Sequence, residues 1–405
     1  MRTAKRIDQL PPYLFATLDR RIAEARDRGV DVISFAIGDP DLPTPGHIVA
    51  AAQAAVADPA NHRYPSYYGL ADLRRAIAGY YQRRFGIDLD PESQVLPLIG
   101  SKEGIHNLAT AFVDPGDTVL IPDPGYPVYA TSAILAGGRP VPFPLEAAHG
   151  FQPRLGEISP GDAVAAKILW LNYPGNPTSA TVAPGTFEQA VEFCRSHNLL
   201  LAHDAAYVDV TYDGYVAPSV LQTPGATEVA LEFGSLSKTY NMTGWRIGWA
   251  VGSPVAVEAL GRVKTNIDSG IFNALQRAGI EALNGPQEAV AAQCAVYTRR
   301  RDTLVDALNA AGWALVPPKA ALYLWAPTPG GEPSQAFADF LLDRAGVVVT
   351  PGVGYGAAGE GFVRFSLTID DDRLAEGAER IARALRAAGG RSVGSGAAGG
   401  AAGGR

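Results

Sequence analysis

The sequence has few cysteines, a low charge density and no long apolar run, and each shortage excludes a class of protein. Two cysteines in 405 residues provide neither a disulfide framework nor the ligand spacing of a metal site. No apolar run is long enough to span a bilayer, and the charged N-terminus is not followed by the apolar core of a signal peptide. The formal net charge of −7 argues against a nucleic-acid partner. We therefore expect a cytoplasmic protein that binds no metal, no membrane and no nucleic acid.

The chain is rich in core-forming residues, arranged in two different patterns. Hydrophobic residues make up 47% of the sequence, which is enough for a sizeable core. Apolar strands alternate with amphipathic helices up to about residue 285, which predicts an α/β fold with a large, doubly wound, mainly parallel sheet. Beyond it, a long helix precedes the strands of a second sheet and the helices that pack on it, which predicts a smaller α+β domain. Its expected strands are 313–316, 322–325, 347–349 and 362–367, and its later helices are 333–345 and 371–388.

These patterns divide the chain into four parts. We expect residues 1–45 to form an N-terminal arm and part of the small domain, and residues 46–285 to form the large domain. Residues 286–388 complete the small domain. The Gly/Ala-rich tail over 389–405 is expected to be disordered.

A lysine lies between two apolar strands, in the sequence Ser235-Leu-Ser237-Lys238, and Arg246 follows eight residues later. Desolvation lowers the pKa of a lysine in such a place, and a neutral amine attacks carbonyl groups. The two hydroxyls and the arginine supply hydrogen-bond donors and a positive charge for a phosphate. An amine nucleophile beside a phosphate site indicates pyridoxal 5′-phosphate (PLP), held as a Schiff base. The alternative for the tetrapeptide alone is a surface turn after an edge strand.

Polar side chains follow several other predicted strands. Ser101 and Lys102 begin a helix after a glycine and present free N–H groups to an anion. Asn176 lies in a glycine turn and offers an amide donor, while Asp204 ends a buried strand with Tyr207 three residues further on. A carboxylate at such a position is either paired with a cation or functional. Ligands of doubly wound sheets bind beyond the carboxyl ends of the strands, so these side chains should converge on Lys238.

Four further residues are candidates for the same site, and each has a purely structural alternative. Gly38 lets a ligand approach the backbone, although its segment is also an ordinary proline-rich loop. Tyr126 suits a lid over a planar ring or packing beneath a turn. Tyr64 either belongs to the core or reaches a ligand across a subunit interface. Arg364 lies in an apolar strand and needs an anion, either a substrate carboxylate or a structural partner.

The order of these motifs resembles the class I and II aminotransferases of PLP fold type I over roughly residues 5–388. The matching patterns are Asn176-Pro-Thr, Asp204-x-x-Tyr207, Ser235-x-x-Lys238 and the spacing from Lys238 to Arg246. The resemblance implies that Lys238 carries PLP and that Asp204 pairs with the pyridinium nitrogen. Asn176 and Tyr207 would then hold the ring oxygen.

The same resemblance assigns the phosphate and the substrate. It places Ser101, Lys102, Ser235 and Arg246 around the phosphate and stacks Tyr126 on the ring. Tyr64 would reach the phosphate of the neighbouring subunit, which implies a homodimer with a shared active site. Arg364 would clamp the α-carboxylate of the substrate, with the backbone at Gly38 beside it.

Several longer sequence segments resemble those of the LL-diaminopimelate aminotransferases within this family. They are Leu10-Pro-Pro-Tyr13, Gly38-Asp-Pro-Asp-Leu-Pro-Thr-Pro, Gly100-Ser-Lys-Glu-Gly, His203-Asp-Ala-Ala-Tyr and Lys238-Thr-Tyr-Asn-Met-Thr-Gly-Trp-Arg. The resemblance implies small amino-acid and 2-oxo-acid substrates: an amino group moves from LL-diaminopimelate to 2-oxoglutarate, giving tetrahydrodipicolinate and glutamate in lysine biosynthesis.

Two questions stay open at this point. The candidates for recognising the distal end of the substrate are Tyr13, Lys102 and the loop 266–270. The alternatives for the whole protein are an aminotransferase for aspartate, alanine or aromatic amino acids, a PLP-dependent lyase, and a PLP-binding regulator without catalysis.

Overall fold

The computed structural model describes residues 1–11 and 14–394, which fold around one large sheet and two small ones. The strands are β1 (Ile33–Ser34), β2 (Val95–Leu98), β3 (Thr118–Asp123), β4 (Arg139–Pro144), β5 (Ala166–Asn172), β6 (Leu200–Asp204), β7 (Ala230–Ser235), β8 (Gly248–Gly252), β9 (Tyr323–Pro327), β10 (Val347–Val348), β11 (Thr350–Pro351) and β12 (Phe362–Ser366). The helices are α1 (Leu14–Asp27), α2 (Gly46–Ala57), α3 (Ala71–Phe85), α4 (Ser101–Phe112), α5 (Val128–Ala136), α6 (Pro160–Ala165), α7 (Thr186–His197), α8 (Ala226–Val229), α9 (Leu236–Thr239), α10 (Pro254–Lys264), α11 (Asn273–Asn284), α12 (Glu288–Asn309), α13 (Ser334–Ala345) and α14 (Asp371–Gly394). The described helices include none that is both long and apolar enough to cross a bilayer.

The large sheet has seven strands in the order β2-β8-β7-β6-β5-β3-β4. Strand β8 runs antiparallel to β2 and β7, and the other neighbours pair in parallel. The predicted doubly wound, mainly parallel sheet is therefore confirmed. Strand β5 lies inside it between β3 and β6, as its unbroken apolar run predicts.

Two helical layers cover this sheet because successive side chains of each strand point to opposite faces. Ile168 and Trp170 of β5 pack in the same core as residues of α4, α5 and α10. Leu169 and Leu171 pack in the core that includes residues of α2, α3, α7 and α11. The last residues of β5, β6 and β7, which are Asn172, Asp204 and Ser235, line one cavity at this edge of the sheet.

A separate core, away from the large sheet, contains residues of α12, α13 and α14 together with residues of β9 and β12. Strands β11, β12 and β9 form an antiparallel sheet, and β1 pairs in parallel with β10. The smaller α+β part of the fold is confirmed, and β1 connects the N-terminal region to it. The division of the chain at residues 45 and 285 stays a prediction.

Two of the strands predicted in this smaller part were wrong. Residues 313–316 are not a strand, because the Asn309 side chain accepts from the Leu315 amide at 2.7 Å and donates to the Leu315 carbonyl at 3.1 Å. Pro317 and Pro318 then follow without N–H groups to extend a ladder. The strand at 347–348 pairs with β1 outside the three-stranded sheet, whose third strand is β11.

The helix predicted to end at residue 388 continues as α14 to Gly394. Strong helix formers such as Arg386, Ala387 and Ala388 precede the glycines and favour this extension. Residues 389–394 are therefore helical, which corrects the start of the predicted disordered tail. The remainder of that tail, 395–405, lies outside the described residues.

Candidate active site

A cavity of about 350 Å³ lies beyond the carboxyl ends of β5, β6 and β7. It is lined by most of the site residues predicted from the sequence: Gly38, Ser101, Lys102, Tyr126, Asn176, Asp204, Tyr207, Ser235, Ser237, Lys238, Arg246 and Arg364. Two predicted site residues are not among them. The Tyr64 side chain is 88% exposed and does not line the cavity, and Tyr13 lies outside the described residues.

Asp204 is a buried carboxylate with one oxygen held and one oxygen available. Its Oδ2 accepts a hydrogen bond of 2.8 Å from the hydroxyl of Tyr129, whose ring stacks on Trp170 at 4.7 Å. Its Oδ1 is buried and has no hydrogen-bond partner among the described residues. Burial raises the pKa of Asp204, and the hydrogen bond from Tyr129 partly offsets that effect. A buried acceptor without a donor is costly, so Oδ1 is suited to accept a hydrogen bond from an N–H group of a bound ligand.

Lys238 lies on the short helix α9, directly after strand β7. The Ser235 hydroxyl at the start of this helix accepts from the Ser237 amide at 3.1 Å. The Lys238 ammonium donates to the Gly38 carbonyl at 3.1 Å. Burial lowers the pKa of Lys238 to about 8; Asp39 opposes this shift, whereas the charge of Arg246 adds to it. Lys238 is therefore an amine of lowered pKa that lines the cavity, which is the property that a nucleophilic amine needs.

The loop before α4 and Arg246 together form a positively polarised cup. Gly100 has φ +73°, and a Cβ there would overlap the guanidinium of Arg246, so this side chain packs directly against the loop backbone. The N-terminus of α4 at Ser101 faces the same cavity. Lys102 lines it as well, with its ammonium 5.9 Å from the centre of the Tyr126 ring. A helix N-terminus with two cations is a site for an anion such as phosphate.

Arg364 reaches the cavity from strand β12 and is held in a fixed orientation. Its side chain donates to Asn176 Oδ1 at 2.8 Å and to the Ala36 carbonyl at 2.6 Å. The guanidinium lies 4.1 Å from the centre of the Tyr323 ring and 5.0 Å from that of Tyr355. Since Asn176 uses its oxygen for Arg364, its NH₂ group is directed to other acceptors.

Sequence reasoning missed several residues of this site, among them Asn172, Tyr129 and Tyr323. The Tyr323 hydroxyl lies 2.7 Å from that of Tyr207, and a Cβ at Gly38 would overlap it. Asn172 lines the cavity and donates to the Asp204 carbonyl at 2.7 Å. Asn172 has a signal, because it ends an apolar strand as Asp204 does. Tyr129 and Tyr323 have none, since their contacts depend on segments far away in the chain.

The cavity meets the separate requirements of PLP. Asp204 Oδ1 lacks the donor that a protonated pyridine nitrogen provides, and Lys238 is an amine with a lowered pKa. The cup formed by the start of α4 and Arg246 fits the phosphate. The fold and this cavity together define a PLP enzyme of fold type I.

The family model for aminotransferase class I and II matches residues 30–381. The chain therefore belongs to the class I and II aminotransferases, which are PLP-dependent transaminases, and the resemblance predicted from its motifs is confirmed. It is 54% identical over 385 residues to an LL-diaminopimelate aminotransferase of Moorella thermoacetica, covering 95% of this chain and 99% of the relative. It is 55% identical over 378 residues to the enzyme of that name from Desulforudis audaxviator, covering 93% of this chain and 96% of the relative.

Solved structures of lower identity share the whole fold. Substrate-bound BacF from Bacillus subtilis superposes with a TM-score of 0.91 at 34% identity, covering 95% of this chain and 98% of that one. Aspartate aminotransferase from Thermus thermophilus with maleate gives a TM-score of 0.87 at 31% identity, covering 95% of this chain and 100% of that one. These structures therefore support the fold over nearly the full chain, and their different names show that the fold alone does not select the substrate.

Proposed function

We propose that this protein transfers the amino group of LL-2,6-diaminopimelate to 2-oxoglutarate, giving tetrahydrodipicolinate and glutamate for lysine biosynthesis. The observation that carries the proposal is 54% identity to an LL-diaminopimelate aminotransferase across 95% of the chain. The cavity described above supports the reaction type, because it combines an amine of lowered pKa, a buried carboxylate and a fixed arginine.

Lys238 and Asp204 carry the chemistry in this proposal. When bound, PLP supplies a ring that accepts the electron pair left as the Cα–H bond of the substrate breaks. Lys238 would hold the cofactor until the amino group of the substrate displaces it. Its freed Nζ then takes the proton from Cα, since a pKa of about 8 makes the neutral amine available near neutral pH. Asp204 Oδ1 keeps a proton on the ring nitrogen, and Tyr129 keeps that carboxylate in place.

The remaining side chains bind and orient. Arg364 takes the α-carboxylate, because its planar guanidinium matches a carboxylate and is already aligned by Asn176. Tyr207 and the amide of Asn176 hold the ring oxygen, and Tyr126 stacks on the ring. Both substrates use the same cavity in turn, so the kinetics should be ping-pong.

The phosphate is held by groups from two elements of the fold. Ser101 and Lys102 contribute the start of α4, whereas Ser235, Ser237 and Arg246 contribute the region around α9. The bound phosphate would be surrounded by backbone N–H groups, hydroxyls and a guanidinium, which are the donors that it prefers.

A homodimer is the second part of the proposal. Tyr64 is 88% exposed, and we infer that it reaches the phosphate held by a second copy of the chain. Its hydroxyl would then complete a site that one chain leaves partly open. A cytoplasmic location is likewise a proposal, supported by Cys194 and Cys294, which are both free thiols.

Steady-state turnover with LL-diaminopimelate tests the proposal. The purified protein is supplied with PLP, and glutamate is measured with and without 2-oxoglutarate, together with released ammonia. We expect glutamate only when 2-oxoglutarate is present, and we expect no ammonia. Ammonia release without an acceptor would identify a lyase, and equal turnover of aspartate, alanine or phenylalanine would identify a broader aminotransferase. The Lys238→Ala variant, which lacks the amine, is the inactive control.

A further inference from the structure

Two loops from different parts of the fold meet beside the cavity. The first begins at Asp123, the last residue of β3, and the second covers residues 352–359 between β11 and β12. Asp123 Oδ1 accepts a hydrogen bond of 3.0 Å from the Ala358 amide, and the Ala357 amide also bonds this carboxylate. The Gly125 amide donates to the Tyr355 carbonyl at 2.9 Å. The large-sheet side and the smaller part of the fold are therefore joined by a charged and a neutral contact.

The second loop is shaped to receive this carboxylate. Gly356 has φ +131°, a conformation that favours glycine, and a Cβ there would overlap Asp123 Oδ1. The loop is also tied to its own side, because the Val353 amide donates to the Ser334 hydroxyl at 3.3 Å. Because the loop is hydrogen-bonded to both Ser334 and Asp123, its position depends on the position of Asp123.

Each loop carries a residue that bears on the cavity. Tyr126, three residues after Asp123, lines the cavity from the large-sheet side. Tyr355 is buried and its ring centre lies 5.0 Å from the guanidinium of Arg364. The contact of Asp123 with the second loop therefore links the loop that carries Tyr126 to the loop whose Tyr355 packs against Arg364.

We propose that Asp123 is a positioning residue for substrate binding: by holding the loop at residues 355–358, it sets the placement of Arg364 relative to Tyr126. Asp123 does not line the cavity and touches no reacting atom in this account. The inference rests on the proposed role of Arg364 as the carboxylate site. It predicts that loss of the Asp123 carboxylate weakens binding of carboxylate ligands and leaves PLP binding intact.

The test compares Asp123→Ala and Asp123→Asn with the unaltered holoenzyme. The dissociation constant of maleate, a dicarboxylate probe, is measured by calorimetry, and that of PLP is measured by absorbance titration. Losing charge-assisted hydrogen bonds should weaken maleate binding about tenfold in Asp123→Ala and about threefold in Asp123→Asn, which keeps one acceptor oxygen. PLP affinity should change by less than about twofold in both variants. Asp114→Ala, in the exposed connection that precedes the same strand, is the matched control and should change neither constant.

Kinetics supply a second readout. The KM for 2-oxoglutarate should rise with the maleate constant, whereas kcat should fall much less, because no reacting group is lost. Unchanged maleate affinity in Asp123→Ala, or an equal loss of PLP affinity, would overturn the inference. Unchanged maleate affinity in Arg364→Lys would instead show that the proposed carboxylate site is wrong. The maleate measurement also stands if LL-diaminopimelate is not the substrate, so the two failures are distinguishable.

Discussion

The pH dependence of the rate at which the PLP-free enzyme binds PLP should report the lowered pKa of Lys238. Burial in a site with two nearby arginines disfavours the ammonium form, so the neutral amine is populated at lower pH than in a free lysine. With a pKa of about 8, roughly 9% of the amine is neutral at pH 7, compared with about 0.03% at the ordinary value of 10.5. The difference corresponds to about 300-fold more reactive amine at pH 7.

The rate of PLP capture should therefore follow the titration of Lys238 as the pH is raised. PLP is mixed rapidly with PLP-free enzyme between pH 6 and pH 10, and the change in visible absorbance gives the rate. The rate should rise about tenfold from pH 7 and level off above a pH near 9, because the amine is then almost fully neutral. Nα-acetyl-lysine in place of the enzyme is the control for the titration of PLP itself, and its rate should still rise at pH 10. An enzyme profile that rises in parallel with this control to pH 10 would refute the argument.

Three substitutions test other parts of the site. Asp204→Ala should lower kcat by about 10²-fold or more, because the ring nitrogen loses its partner, while the visible absorbance of bound PLP persists; an unchanged kcat would contradict the assignment. Gly100→Ala should raise the PLP dissociation constant about tenfold, because the new Cβ displaces Arg246. The control is Gly116→Ala, because Gly116 has φ +95° and open space around it. Both variants should lose about 1 kcal/mol of folding stability, but Gly116→Ala should keep its PLP affinity. Equal PLP affinities in the two glycine variants would count against the phosphate cup. Arg364→Lys should raise the KM for 2-oxoglutarate by about 10- to 100-fold, since lysine cannot reproduce the planar contact, and an unaltered KM would show that the carboxylate binds elsewhere.

The sequence predicted the site where one topological rule applies. Asp204 and Ser235 each end a strand of the parallel sheet, and the carboxyl ends of such strands meet at one edge. Residues more than 30 positions apart in the chain could therefore be placed together before the structure was known. Lys238 follows the same rule, because it lies three residues beyond the end of β7.

The rest depends on packing between distant segments, for which the sequence carries no local signal. Tyr323 belongs to β9 in the three-stranded sheet, and its contact with Tyr207 exists only once the two parts of the fold are assembled. Leu315 lies in an apolar run that predicts a strand, but the side chain of Asn309 hydrogen-bonds both its N–H and its carbonyl group. The contact of Asp123 with the loop at Gly356 likewise joins residues that no periodicity connects.

The single half-reaction with each amino donor tests the central claim most directly. Holoenzyme is mixed with LL-diaminopimelate, meso-diaminopimelate, glutamate, aspartate, alanine or phenylalanine, without a 2-oxo acid, and the loss of the visible PLP absorbance is followed. We predict fast loss of this absorbance with LL-diaminopimelate and with glutamate, and little change with the other donors. Comparable loss with aspartate, alanine or phenylalanine would contradict the proposed substrate, and a protein with no visible PLP absorbance would contradict the site around Lys238.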